Sequence, residues 1–320
     1  MNAAVVHAYN APPRYATFED PIADEGEKLV AITAAGLHPI VKLLASGTHY
    51  GSTGALPFVA GVDGVGRLED GTRVYFGVAR APFGTFAERG LAPASMCIPL
   101  PEGIDDVTAA GTANPAMSSW VALTARAKFV TGENVLILGA TGVAGQLAVQ
   151  IAKRLGAKRV IATGRNPRAL EELKDLGADA IVSLDQEHGA LVAGLRSEIT
   201  TGGVDVVLDY LWGAPAQAAL EALAQKGLSK ATPRVRYMQI GSSAGETIPL
   251  PAATLRSSGL ELLGSGFGSA SLDQIRAAIT DFFAAMSVNP LRTAIQTVPL
   301  RDVEQLWNER ESTVRLVFQP

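Results

Sequence analysis

Apolar positions follow two different rhythms along the 320 residues. Up to about residue 110 they form brief runs, such as 28–34 and 73–78, bounded by Gly, Pro or acidic residues. That pattern predicts short strands separated by turns. The stretch Gly47-Thr48-His49-Tyr50-Gly51-Ser52-Thr53-Gly54 offers too little apolar area for a helix and is expected to be a loop. From about residue 120 the rhythm changes. Residues 134–139 read as a compact apolar strand. Val143, Leu147, Ile151 and Leu155 then recur at helical spacing over 142–155, with Gly156 placed to end the helix. A strand at 159–163 follows, then a helix over 167–176 opened by Pro167 and closed by Gly177. Further strands are expected at 180–184, 204–211, 235–241 and 260–264, with helices between them, one of them over 214–225. Strands alternating with helices predict βαβ crossovers and a parallel sheet covered on both faces. The tail reads as helix 271–286, strand 293–299, helix 302–310 and strand 313–318, and is expected to return to the first lobe.

Composition narrows the function classes. Hydrophobic residues at 48% against 18% charged give material for a core and argue against disorder. The net charge of −4 argues against a nucleic-acid partner, which would need clustered cationic charge. Cys97 is the one cysteine, so neither a disulfide within the chain nor a zinc site of several thiolates can form. The N-terminus has no basic stretch followed by a long apolar core, and no apolar run approaches the roughly 20 residues that span a bilayer. The expectation is a cytoplasmic protein without membrane partners.

The chemistry gathers at Gly139-Ala140-Thr141-Gly142-Val143-Ala144-Gly145, between a predicted strand and helix. Glycines there permit a tight turn, close approach of a pyrophosphate to the backbone, and close helix–strand packing. The helix N-terminus adds free N–H groups to receive phosphate. A structural turn without a ligand is the plain alternative. About 20 residues on, where NAD sites place an acid on the ribose, the chain reads Arg159-Val160-Ile161-Ala162-Thr163-Gly164-Arg165-Asn166-Pro167-Arg168, with no acid. Arg165 and Arg168 suit a 2′-phosphate through charge-assisted hydrogen bonds, which favours NADPH over NADH. The alternative is two solvated arginines, unfavourable against the helix dipole.

The chain as a whole resembles the medium-chain dehydrogenase/reductase superfamily, specifically its zinc-free quinone oxidoreductase (zeta-crystallin-like) branch. The resemblance is carried by Ala34-Ala35-Gly36-Leu37-His38-Pro39, by Gly47-Thr48-His49-Tyr50 with Pro57, and by Gly61-Val62-Asp63-Gly64-Val65-Gly66. Gly84-Thr85-Phe86-Ala87-Glu88 and Pro99-Leu100-Pro101-Glu102-Gly103 add to it. It implies an α/β chain: a GroES-like partial β-barrel catalytic domain over 1–118 and 270–320, and a Rossmann doubly wound parallel-sheet domain over 119–269. It also implies cofactor contacts at Asn114, Ser118, Ile240, Gly241, Ser242, Leu263, Gly264 and Ser265, beside Gly139, Thr141, Gly142, Val143, Ala144, Gly164, Arg165 and Arg168. Tyr50 is placed at the nicotinamide, as a stacking wall or an O–H donor, with an ordinary loop tyrosine as the plain alternative. His38, where the branch has Asn, either hydrogen-bonds the ribose or a substrate oxygen or is a packed, satisfied histidine. Ser118 has the plain alternative of a helix N-cap, and Arg315 reads as a surface charge rather than a cofactor contact.

In zinc-dependent relatives the catalytic metal is held by Cys, His, and Cys or Asp; the matching positions here are His38, Val62 and Asn114. One imidazole cannot hold a catalytic zinc. The resemblance therefore implies a zinc-independent, NADPH-dependent oxidoreductase passing hydride to a quinone or other electron-poor acceptor, as a homodimer. An enone reductase of the same superfamily, and a non-catalytic NADPH-binding sensor or crystallin-like protein, remain alternatives. Gly241-Ser242-Ser243-Ala244-Gly245 matches a hydrolase elbow, but all four histidines precede it, against the order that fold requires. No tyrosine has a lysine four residues later, which excludes a short-chain dehydrogenase.

Overall fold

The computed structural model describes residues 1–52, 55–224, 233–266, 268–309 and 313–320. The chain divides into two units, Met1–Pro115 with Ile279–Pro320, and Ala116–Ala278.

The first unit is built from short strands: β1 (Asn2–Val6), β2 (Arg14–Thr17), β3 (Glu27–Gly36), β4 (Phe58–Val59), β5 (Asp63–Arg67), β6 (Arg73–Gly77), β7 (Arg89–Pro93) and β8 (Cys97–Pro99). β3 buries Val30, Ile32 and Ala34, the alternation expected of a strand with one face on a core. Two helices interrupt this region, α1 (Pro39–Ala45) and α2 (Asp106–Val121). Asp105 caps α2, accepting from the Thr108 N–H at 2.8 Å. Arg73 and Thr33 both bind the Asp106 carboxylate, which pins the start of α2 to β6 and β3.

The second unit alternates strictly: β9 (Asn134–Leu138), α3 (Val143–Arg154), β10 (Arg159–Gly164), α4 (Pro167–Glu172), β11 (Ala180–Ser183), α5 (His188–Gly202), β12 (Val206–Asp209), α6 (Gly213–Leu223), β13 (Arg234–Gln239), α7 (Ala252–Arg256) and β14 (Gly259–Gly264). The strands pair in parallel in the order β11-β10-β9-β12-β13-β14. This is the doubly wound arrangement, whose order reverses between β9 and β12. The strands read as unbroken apolar runs because helices cover both faces; Leu136, Leu138, Ile161, Val207 and Tyr237 pack with Leu195 in one of its clusters.

The tail comprises α8 (Leu272–Val288), β15 (Ala294–Pro299), α9 (Val303–Leu306) and β16 (Val314–Gln319). β16 pairs antiparallel with β3, Val317 opposite Gly36, and parallel with β15. The resulting sheet runs β15-β16-β3-β5-β6-β8, with β7 also on β3.

Several expectations need correction. The helix expected over 302–310 is a 3₁₀ turn at Leu300–Asp302 followed by the single turn of α9, enough to bury Val303 and Trp307. The helix expected over 167–176 ends at Glu172, a 3₁₀ turn completing it before Gly177 in the left-handed conformation. The first 110 residues are not strands alone, since α1 and the start of α2 lie there. Residues 53, 54, 225 and 310, the ends of an expected loop and two expected helices, lie outside the described residues.

Candidate functional site

Gly139 leaves β9 with φ +87° and Gly142 precedes α3, so the turn is short and the helix begins at once. Three glycines are required, Gly145 and Gly164 by contact and Gly139 by its left-handed φ. A Cβ on Gly145 would stand 2.3 Å from the Gly139 carbonyl, one on Gly164 2.3 Å from Thr141 Cγ2, and one on Gly139 2.8 Å from Leu211. The turn is therefore wedged between the ends of β10 and β12, beside the point where strand order reverses. The Ala140 N–H is held by the Thr163 carbonyl at 2.7 Å. The first turn of α3 carries no acid, while Lys153 and Arg154 occupy its last turn. Anion at one end and cation at the other is the arrangement the helix dipole favours. An anion at the start of α3, beside Thr141, Gly142, Val143 and Ala144, would suit that dipole.

At the end of β10, Arg165 is exposed and Asn166 caps α4 by accepting from the Ala169 N–H. Arg168 is also exposed, and its guanidinium rests 3.2 Å from Glu172 one turn on. The two arginines are brought to the same helix start.

Beyond the switch point, the Ile240 and Gly241 N–H groups are both held by the Asp209 carbonyl. Ser242 is exposed beside them. Ser265 N–H binds the Gln239 carbonyl, and the Gly264 carbonyl accepts from Arg126, so Leu263-Gly264-Ser265 lies next to the 240–242 segment. Ser118 lies within α2, not at its start, so it is no N-cap; its Oγ is 3.0 Å from the Tyr210 hydroxyl. Asp209, fully buried, receives the Leu211 and Trp212 N–H groups and the Tyr237 hydroxyl. Burial raises its carboxyl above the ordinary range, opposed by those donors.

The first unit gathers a polar cluster of its own. His38 and Asp63 are 1% and 3% exposed, with His38 Nε2 3.6 Å from the carboxylate. Asp63 accepts from the Tyr75 hydroxyl and from the Asn114 amide, each at 2.9 Å. Neither ring nitrogen of His38 has a hydrogen-bond partner among the described residues, so it is packed but not satisfied. Gly36 makes room for it, since a Cβ there would meet the ring at 2.6 Å. Burial lowers the His38 pKa, Asp63 opposing and Arg315 reinforcing the shift. Burial raises that of Tyr75, with Asp63 adding to it. Arg315 is not a surface charge: it is 3% exposed and donates to the Leu37 carbonyl. Tyr50, by contrast, is 75% exposed and stacked on His49 at 4.1 Å between ring centres.

Of the three positions matching the zinc ligands of relatives, Val62 has no donor atom and Asn114 directs its amide N–H at Asp63. Among the described residues, no group of three or more His, Cys, Asp or Glu side chains converges as a metal site would require. Asp63, Tyr210 and Asp209 are the site-forming residues that sequence reasoning does not select. The signal for Asp209 is an acid ending an otherwise apolar strand, and for Asp63 an acid between glycines.

Comparison with known proteins finds matching sequence and architecture. The family of zinc-binding dehydrogenases matches residues 143–285. A probable NADPH-dependent quinone reductase of Emericella nidulans is 27% identical, with all of both chains covered. A mycocerosic acid synthase-like polyketide synthase of Mycobacterium tuberculosis is 30% identical over 71% of this chain, which spans a tenth of its length. Among solved structures, the quinone oxidoreductase of Thermus thermophilus, determined alone and in complex with NADPH, is 27% identical with a TM-score of 0.82 and full coverage of both chains.

Proposed function

We propose, from the premise that this chain is a medium-chain dehydrogenase/reductase resembling the quinone oxidoreductases, that it is an NADPH-dependent oxidoreductase. Its acceptor in this reading is a quinone or a conjugated enone, and it works without zinc, as a homodimer in the cytoplasm. The observation that carries the reading is the glycine turn wedged at the switch point of the parallel sheet, with Arg165 and no acid at the end of the next strand.

When bound, NADPH supplies a hydride from its nicotinamide. The chain's part is binding, orientation and charge. Residues 141–144 would receive the pyrophosphate on backbone N–H groups, with Gly139 making the turn beneath it while its own N–H is held by Thr163 Oγ1. Gly164 leaves space beside Thr141, and Arg165, with Arg168, would neutralise the 2′-phosphate. Residues 240–242 and 263–265 and Ser118 would meet the nicotinamide half. A hydrogen-bond donor must offset negative charge growing on the acceptor oxygen. Tyr50 is the exposed candidate. His38 is the buried one, suited to supporting Asp63 and Asn114 rather than to touching substrate. Zinc independence is supported by the donor set: one imidazole, a valine, and an amide already committed to Asp63.

The test is NADPH and NADH oxidation with an ortho-quinone and a conjugated enone, in a strong chelator. Turnover with NADPH that survives the chelator is expected, and the faster acceptor names the substrate class. Arg165→Ala should weaken NADPH about 10- to 100-fold, the worth of a charge-assisted contact, with NADH little changed. Equal losses for both cofactors would remove the 2′-phosphate assignment. Tight NADPH binding without turnover would leave a sensor.

A further inference from the structure

The loop leaving β12 carries a tyrosine that the cofactor reading does not use. Tyr210 is the first residue beyond the carboxyl end of β12, and three segments converge on it. Its hydroxyl lies 3.0 Å from Ser118 Oγ on α2. Its Cβ is 3.5 Å from where a side chain at Gly139 would begin, against the turn. Its carbonyl accepts from Ser243 Oγ at 3.1 Å, and a Cβ on Gly241 would come within 2.7 Å of that oxygen. Burial pushes the phenol up to about 12, so the hydroxyl keeps its proton and can donate and accept at once.

A dinucleotide crosses a doubly wound sheet at the reversal of strand order, one mononucleotide half on each side. Arg165 follows β10, which puts the adenosine half over β9–β11 and the nicotinamide half over β12–β14. Tyr210 stands at the boundary, on the nicotinamide side.

We propose that Tyr210 is a positioning residue for the nicotinamide half of the cofactor, holding the Ser118 hydroxyl in fixed relation to the loops that follow β9 and β13. The inference rests on the NADPH reading and specifies which side chain sets that half in register. The Cβ lies against the turn, while the hydroxyl, through Ser118, orients a group that the backbone alone cannot.

The test titrates NADPH and 2′,5′-ADP, which lacks the nicotinamide half, into the full chain and into Tyr210→Phe, Ser118→Ala and the double variant. Tyr210→Phe is expected to weaken NADPH about five- to tenfold, the worth of one hydrogen bond, and to leave 2′,5′-ADP unchanged. The double variant should bind NADPH no more weakly than the weaker single one, because the two hydroxyls act as a unit. Ser118→Ala removes the same bond from its other end, and an unselective loss or none in that variant overturns the inference even if Tyr210→Phe does not fold. Parallel losses for both ligands, unchanged NADPH affinity, or additive losses would overturn the inference. A wild-type chain that binds both ligands while Tyr210→Phe fails to discriminate sinks this inference alone. One that binds neither sinks the cofactor reading, and this inference with it.

Discussion

The two units build their polar centres by opposite means. In the second, the centre is made of backbone: glycines whose missing Cβ atoms let β9, β10 and β12 end against one another. In the first, it is made of side chains, with Asp63 accepting from Tyr75 and Asn114 beside His38 and Arg315, all from separate elements. A backbone site tolerates almost no added volume and needs no particular partner. A side-chain site fails when any partner is removed.

The largest effect that would sharpen this contrast is expected at Gly145. Valine there would drive its Cβ to 2.3 Å from the Gly139 carbonyl, and backbone cannot move aside as a flexible side chain would. Gly145→Val should cost about 3 kcal/mol or more in urea unfolding and abolish NADPH binding by titration. A variant of wild-type stability would show that the turn is loosely packed after all. Next comes Asp63→Ala, which orphans a buried phenol and a half-buried amide. It should cost about 3 kcal/mol in the same unfolding measurement while leaving 2′,5′-ADP affinity intact. Loss of 2′,5′-ADP binding would break the separation drawn between the two centres.

The smallest effect concerns pH. Burial holds the His38 pKa below its ordinary value of 6.5, so as pH falls the unfolded chain takes up the proton first. Stability should therefore be flat above about pH 7, decline as pH falls below 6.5, and level off below the folded-state pKa. His49 is shifted the same way by burial, so the diagnostic is the difference in melting temperature between wild type and His38→Gln across pH 7 to about 5. The carboxylates held low by donors or cations, such as Glu27 and Glu88, act at lower pH. Identical pH profiles for the two proteins would mean that His38 titrates alike in the folded and the unfolded chain.

What can be read in the sequence follows from the same contrast. The glycine turn, its flanking strand and helix, and the acid-free arginine segment are contiguous, and periodicity locates them within a few residues. The first unit's cluster draws on positions 38, 63, 75, 114 and 315, which only the fold brings together. Arg315 reads as a surface charge because one arginine in a strand says nothing of which face is covered. α2 is hard to see in the sequence because its buried face is largely alanine, Ala109, Ala110, Ala113 and Ala116, interrupted by Gly111 and Pro115, so the apolar periodicity is weak. Asn114 and Ser118 are placed by family resemblance alone, which does not disclose the helix that carries both.

Pro115, inside α2, costs that helix one rung of its hydrogen-bond ladder. It also bears on how the protein ages. Asparagine side chains deamidate when the backbone N–H of the following residue attacks the amide carbon, and proline has no N–H to attack with. Asn114 is thus shielded from the reaction that would turn it into a second carboxylate facing Asp63. The uncharged donor this buried acid depends on is kept uncharged by the covalent chemistry of its neighbour.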